Sequence, residues 1–297
     1  MTPTSPRFRP NPQASHPRRK RPRSGVVRAS PKRPSPVLTA ASADKYVLYE
    51  RSVQDPQFEL GFIERVFRSL RHRRPLSMRE DFCGTGLLCA RWVESHPERT
   101  ATGVDLEPKV LAWGCRHHLA PLGQAASRVR LLEQDVRAPS AGKFDAINAL
   151  NFSYWVFKTR AEMLHYFRTV RSSLNRDGIF FLDTYGGWDA LEPMTERRRI
   201  RGGFIYIWDQ SRVDPISHDV TNHIHFEFAD GSRMEKAFTY EWRFWTLPEL
   251  TELLTEAGYS EVRVYWDDSE DDEEANYRPR RHAENQPGWL AYLVAVR

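Results

Sequence analysis

The segment Glu80-Asp81-Phe82-Cys83-Gly84-Thr85-Gly86, followed nineteen residues later by Asp105 in Thr102-Gly103-Val104-Asp105-Leu106, constrains the fold of this chain more than any other feature. Its order is that of a strand, a glycine turn opening a helix, and a second strand ending in a carboxylate. An α/β sheet builds a nucleoside-binding crevice in that way.

The rest of the chain continues the alternation. Leu60, Ile63, Phe67 and Leu70 recur at helical spacing between residues 58 and 70, ahead of the glycine turn. Leu87–Glu94 and Pro108–Leu119 read as helices, and Val129–Leu132 and Phe144–Leu150 as strands. Met163, Phe167, Val170 and Leu174 line a further helix, which the turn Asn175-Arg176-Asp177-Gly178 delivers into a strand from Ile179 to Thr184. Strands separated by helices predict a parallel sheet covered on both faces.

From about 188 to 245 the pattern changes to strand-like aromatic runs. Asp230-Gly231 predicts a type I′ hairpin there, so this part reads as a small antiparallel insertion. Thr246-Leu247-Pro248-Glu249 is a capping box opening a helix that Gly258 stops. Two closing strands, Glu261–Trp266 and Trp289–Val296, are joined by a loop carrying the acidic run Asp267–Glu274, expected to be solvated. The expected fold is α/β: a doubly wound, mostly parallel seven-stranded sheet with an antiparallel C-terminal hairpin and a small antiparallel β insertion.

Charge divides the chain unevenly. Residues 1–43 hold ten of the 44 Lys and Arg, nine of the 20 prolines and no acid, leaving 34 basic against 39 acidic residues in the body. Such a segment has too few apolar side chains to offset the entropy of ordering, so it is expected to be a disordered basic tail. Residues 44–75 are expected to form a helical lid, and 76–297 the catalytic domain with its insertion. Cys83, Cys89 and Cys115 show no paired spacing, and no apolar run approaches the roughly 18 residues of a membrane span. A cytoplasmic location is expected; Arg18-Arg19-Lys20-Arg21 leaves nuclear or organelle targeting open.

On these residues the chain resembles the class I S-adenosylmethionine-dependent methyltransferases, particularly the small-molecule enzymes with an antiparallel insertion after strand five. The resemblance spans about 76–185 and 240–297. It implies S-adenosyl-L-methionine as cofactor. By that resemblance Glu80, Gly84 and Gly86 form the turn at the methionine end, Asp105 with Leu106 takes the ribose, Asp135 and Val136 take the adenine, and Asn151 lines the methyl-donor region. One departure stands out, since Phe82 replaces the first glycine of the family's turn and is expected to add bulk near the methionine end. The family's lid and strand-five loop would also place Tyr46, Tyr49 and Asp183–Gly187 around the transferring methyl.

The implied reaction moves a methyl group to N, O or S of an acceptor, most simply a small molecule. No catalytic residue is assigned, although Tyr154, Tyr185 or an insertion histidine could take a proton. Other readings stay open at this point. They are an RNA or DNA methyltransferase tethered by the basic tail, a catalytically silent cofactor-binding module, and a nicotinamide-dependent dehydrogenase using Gly84-x-Gly86-x-x-Cys89. No metal is expected: His223, His225 and Glu227 share one strand face, but that face is expected to be outer and solvated. The aromatic residues of the insertion, Phe204, Tyr206, Trp208, Tyr240, Trp242, Phe244 and Trp245, are expected to pack rather than to form a cage.

Overall fold

The computed structural model describes residues 38–139, 142–269 and 275–297. Residues 1–37 of the expected tail, and 270–274 of the acidic run, lie outside the described residues. The last part of the expected tail belongs to the folded body. Ser42 N and Ala43 N donate to Thr39 O, Ala40 N donates to Ser232 Oγ at 2.9 Å, and Leu38, Ala40 and Ala43 pack against the core.

Helices α1 (Lys45–Val53) and α2 (Pro56–Arg71) follow, capped by Asp44 and Asp55. Such caps satisfy backbone donors that the first turn leaves unpaired. The apolar stripe of α2 buries Leu60, Phe62, Ile63, Val66 and Phe67, together with one acid, Glu59.

Strands β1 (Ser77–Asp81), β2 (Thr100–Asp105), β3 (Val129–Glu133), β4 (Phe144–Ala149) and β5 (Leu174–Gly186) are parallel. Past β5 the sheet is completed by antiparallel strands: β12 (Trp289–Val296), β10 (Glu261–Asp267) and β11 (Tyr277–Arg280). The order is β3-β2-β1-β4-β5-β12-β10-β11. The seven expected strands are thus joined by an eighth, β11, in the stretch expected to be loop. Its four residues, Tyr-Arg-Pro-Arg, are too few to show a period, and proline and arginine suit an edge strand. Tyr277 anchors it, its ring 4.8 Å from that of Tyr292. Strand β5 also starts earlier than expected, at Leu174, with an irregular register against β4 before Ile179.

Helices α3 (Leu87–Glu94), α4 (Pro108–Gly114), α5 (Arg160–Ser173) and α6 (Leu247–Glu256) cover the sheet. The helix expected over 108–119 changes to a π-helical turn at Cys115–Leu119. One face packs α2 and α3 through Phe62, Phe67, Leu88 and Trp92, and the other packs α5 and α6 through Met163, Phe167, Val170 and Leu253. Strand order reverses between β1 and β4, so a crevice opens at their carboxyl ends. No helix among the described residues is long and apolar enough to cross a membrane.

The insertion is a separate antiparallel sheet of β6 (Met194–Ile200), β7 (Phe204–Val213), β8 (Asp219–Phe228) and β9 (Arg233–Arg243), in that order. Its aromatic residues pack, as expected: Phe204, Tyr206, Trp208 and Trp242 are buried, and Trp242 lies 6.2 Å from the Trp155 ring. The turn is not type I′, because only Gly231 is left-handed (φ 82°) and Asp230 instead accepts from Ser232 N and Oγ. The His223/His225 face is not solvated either. Both rings are buried, His223 against Thr239 Oγ1 at 3.0 Å and His225 against Glu235 at 2.5 Å and the Lys236 amide at 3.0 Å. Side chains of neighbouring strands cover a face that an isolated strand would expose.

Candidate functional site

The glycine turn lies at the switch point and is defined by its backbone. Phe82, Gly84 and Gly86 all have left-handed φ, at 58°, 52° and 66°. Gly86 N closes the turn on Cys83 O at 2.8 Å. A Cβ on Gly86 would lie 2.9 Å from Leu131 Cδ2, whereas one on Gly84 would meet nothing within 4 Å and project into open space. That open cradle is where backbone can approach a ligand. A third glycine, missed by sequence reasoning, supports the turn from behind. A Cβ on Gly114 would lie 2.0 Å from Thr85 O, so α4 packs directly on the turn's backbone.

Asp105, at the end of β2, is held on both carboxylate oxygens. Oδ2 accepts from Gly84 N at 2.8 Å and Oδ1 from Glu107 N at 2.9 Å. A carboxylate has about four acceptor positions, so two stay free for hydroxyl donors. The carboxylate is thereby aimed before any ligand arrives.

Two cavities meet at Asp105 and Phe82. The smaller, about 230 Å³, is walled by Leu106, Gln134, Asp135, Val136, Arg137 and Phe157. The larger, about 490 Å³, lies between Glu80, Gly84, Asn151 and the lid residues Tyr46 and Tyr49, with Phe238 and Tyr240 of β9 closing it. Seven of the eight residues expected at the site thus line one or both cavities, and Gly86 backs the turn without lining either. The Phe82 ring packs 6.0 Å from Phe157 and 6.0 Å from Tyr166 and borders both cavities.

A family profile described as a methyltransferase domain matches residues 83–180, which run from this turn through β5. YqeM of Bacillus subtilis (strain 168), a protein named only provisionally as a methyltransferase, is 26% identical over 187 residues, covering 61% of this chain and 72% of its own. The chain carries a methyltransferase domain. Its fold is that of CalS10, an amino pentose methyltransferase from Micromonospora echinaspora (TM-score 0.62, 16% identity, 85% of this chain and 95% of that one). KedS8, a sugar N-methyltransferase from Streptoalloteichus sp ATCC 53650, is similar in the same way (TM-score 0.60, 20% identity, 92% and 99%).

The two cavities differ in charge. Asp135 is neutralised by Arg137, whose Nη2 donates to Oδ2 at 2.7 Å and whose amide donates to Oδ1 at 2.8 Å, and that guanidinium holds the carboxyl below its usual range. Below it the buried Arg79 pairs with Asp81 at 2.6 Å and donates to Val136 O at 2.9 Å, fixing the loop to β1. The larger cavity is lined by Lys45, Lys109 and that paired Asp81, but its acids Glu80 and Glu59 make no ion pair among the described residues. Burial raises Glu80 to about 8, against the opposing hydrogen bonds of the Cys89 thiol, at 3.1 Å, and the Cys89 backbone. Burial also raises Glu59 well above its usual range, and the fields of Glu80, Asp183 and Asp55 add to it.

Asp183 is raised to about 7 by burial. It accepts from Asn151 N at 2.8 Å and Phe152 N at 3.0 Å. Both donors are left-handed (φ 57° and 59°), a costly pair that this carboxyl clamps in place. Asp183 therefore shapes the end of β4, but 184–187 do not surround the cavity: Gly186 packs on Trp289 and Gly187 on Pro287. Nor do the proton acceptors suggested by sequence line it. The hydroxyl of Tyr154 donates to Asp183 O, that of Tyr185 to Gln210 Oε1, and the insertion histidines lie in the other sheet.

Helix α1 is latched by contacts invisible to periodicity. Trp113 Nε1 donates to Asp44 Oδ2 at 2.7 Å, while Glu50 Oε1 accepts from Thr85 Oγ1 and meets His118 Nε2, each at 2.6 Å. Helix α1 is thereby tied both to the glycine turn and to the π-helical turn after α4. Among the described residues no group of His, Cys, Asp or Glu could hold a metal ion.

Proposed function

We propose that the protein transfers a methyl group from S-adenosylmethionine to N, O or S of a small-molecule acceptor held in the larger cavity. The observation that carries this reading is that cavity: about 490 Å³, beside the glycine turn, and closed over by both the lid and the insertion. Enclosure of that size suits a small molecule. CalS10 and KedS8 act on sugars and share the fold, which supports the same class of acceptor here.

The residues present fit the cofactor. The Gly84 cradle leaves room beside the turn, Asp105 has acceptor positions for two ribose hydroxyls, and unneutralised carboxyls suit a ligand carrying a sulfonium and an ammonium. In this reading Glu80, Gly84, Gly86 and the amino end of α3 hold the methionine end, Asp105 and Leu106 the ribose, and Asp135 and Val136 the adenine, with Asn151 beside the methyl. The cofactor supplies a methyl already activated on sulfur, which leaves behind a neutral thioether. The protein's share is then alignment and exclusion of water, which can supply about 7–11 kcal/mol.

Calorimetry with S-adenosylhomocysteine tests the assignment. Replacing Asp105 by Ala removes the ribose acceptors and leaves Gly84 N unpaired, so affinity is expected to fall about 100-fold, or about 3 kcal/mol. An Asp105→Ala variant that binds as the parent does would sink this site. Labelled methyl donor and a metabolite extract, read by mass spectrometry, identify the acceptor.

A further inference from the structure

Glu59 is anomalous for its position. It sits on the buried face of α2 and is 5% exposed, while it lines the larger cavity. Among the described residues its carboxylate makes no ion pair and no hydrogen bond to another side chain; the backbone at Asp55 is its one weak support. The acids around it are accounted for. Asp183 is capped by two amides, Glu80 by a thiol, and Asp55 accepts from Phe58 N.

A second acceptor faces the same space. Gln54 Oε1 is buried without a hydrogen-bond partner and Gln54 lines the same cavity. The opposite wall is aromatic: the Tyr49 ring lies 5.0 Å from Phe238, and Tyr240 bonds to the Tyr49 hydroxyl. That wall already attracts a cation, since Lys45 Nζ stands 4.9 Å from the Phe238 ring and 5.3 Å from that of Tyr46. A buried carboxyl without a partner is costly, and here the missing partner is a group with N–H donors and positive charge.

Two positive groups belong to the cofactor, but the glycine turn, α3 and Glu80 account for its end of the cavity. Glu59 lies within the field of Glu80 but also acts on Tyr49 and, through it, reaches the wall contributed by the insertion. We propose that Glu59 binds the amino group of an amine-bearing acceptor and accepts its proton before transfer, which makes the protein an N-methyltransferase. This rests on the small-molecule reading above.

The step balances. One N–H bond of the acceptor ammonium breaks and its proton passes to the Glu59 carboxylate, freeing the nitrogen lone pair. That pair attacks the methyl carbon as the S–C bond breaks and its electrons stay on sulfur. The methylated nitrogen carries the positive charge away. A carboxyl whose proton affinity burial has raised is suited to hold that proton.

The test compares the parent with Glu59→Gln and Glu59→Asp. Affinity for S-adenosylhomocysteine is measured first; failure of the parent to bind would overturn the methyltransferase site itself, separately from this proposal. Amines and their hydroxyl counterparts, such as glucosamine with glucose and cyclohexylamine with cyclohexanol, are then measured on the saturated protein by saturation-transfer NMR. Methyl transfer to the same compounds is followed by mass spectrometry across pH. Amines are expected to bind in preference to their counterparts, and Glu59→Gln to weaken them about tenfold or more, the scale of one hydrogen bond to a charged group. Glu59→Gln should also remove the ascending limb of the pH profile, with Glu59→Asp recovering part of it and cofactor affinity unchanged in both. Three results would each overturn the proposal: no amine bound over its counterpart, amine binding indifferent to Glu59→Gln, or cofactor affinity falling as far as amine affinity.

Discussion

The smaller and larger cavities are parts of one crevice built on opposite electrostatic plans. Asp135, in the smaller one, has its counter-ion within the protein, Arg137. Glu59 and Glu80 of the larger cavity, and Asp183 beside them, are partnered among the described residues only by backbone groups and a thiol. A region whose charges are satisfied internally can recognise a ligand by shape and hydrogen bonding. One whose acids are left unneutralised waits for a cation.

The largest expected effect sets the two regions against each other through pH. Glu80 and Asp183 are raised to about 8 and about 7, so the folded protein holds protons that the unfolded chain has already lost. Stability is then greatest at low pH, falls as pH rises from the unfolded carboxyl range through the folded values, and levels off above about pH 9. At about 1.4 kcal/mol per unit, Glu80 alone lowers stability by on the order of 3 kcal/mol between about pH 5.5 and 8.5. Asp135 works the other way, since its lowered value gives stability that is lost only on acidification. Urea denaturation of the cofactor-free protein at several pH values should show the fall, and Glu80→Gln should flatten it. Saturation with S-adenosylhomocysteine should also reduce it, because a cation brought beside the acids makes their ionised forms acceptable. A profile that rises toward pH 8.5 would mean that these acids are solvated.

The smaller region is expected to respond weakly. Arg137 is about a third exposed, and such a pair contributes about 0–1 kcal/mol. Arg137→Ala should therefore weaken S-adenosylhomocysteine by about fivefold or less, part of it from the lost contact of its guanidinium with Phe157, 5.2 Å away. The analogue with oxygen in place of the adenine amino group gives the sharper reading. If Asp135 recognises that amino group, the parent discriminates against the analogue and Asp135→Asn does not.

What sequence reveals follows the same division. The parallel strands, the glycine turn and Asp105 were legible because backbone geometry demands glycine at Gly86 and because alternation persists over many residues. The capping boxes at Thr159 and Thr246 also close as their local sequence dictates. Glu59 was not legible: beside Leu60 on an amphipathic helix it reads as an ordinary polar position, and only the cavity shows that it faces inward. Gly114 was missed because nothing in its own helix explains it; the reason lies at Thr85 O, nearly thirty residues earlier. The insertion histidines show the complementary failure, since alternation assigned them one face correctly but could not show that Asp209, Glu235 and Thr239 would cover it.

Phe82, where the cavities meet, gives the smallest and most exacting prediction. A left-handed residue with a side chain costs roughly 1–2 kcal/mol, which glycine avoids at the expense of about 0.5–1 kcal/mol of unfolded-chain entropy. Its half-buried ring regains part of that cost against Phe157 and Tyr166. Phe82→Ala keeps the backbone penalty and loses the ring, so it should destabilise by about 1–2 kcal/mol; Phe82→Gly loses the ring but also the penalty, and should cost less than about 1 kcal/mol. The order of the two variants in urea denaturation is the critical result. Glycine above alanine means that the turn's left-handed geometry is imposed by its setting between Val104, Leu131 and α4, with the ring a compensation packed against Phe157 and Tyr166. Alanine above glycine would mean that the turn relaxes when the ring is gone, and that Phe82 itself holds the two cavities in register.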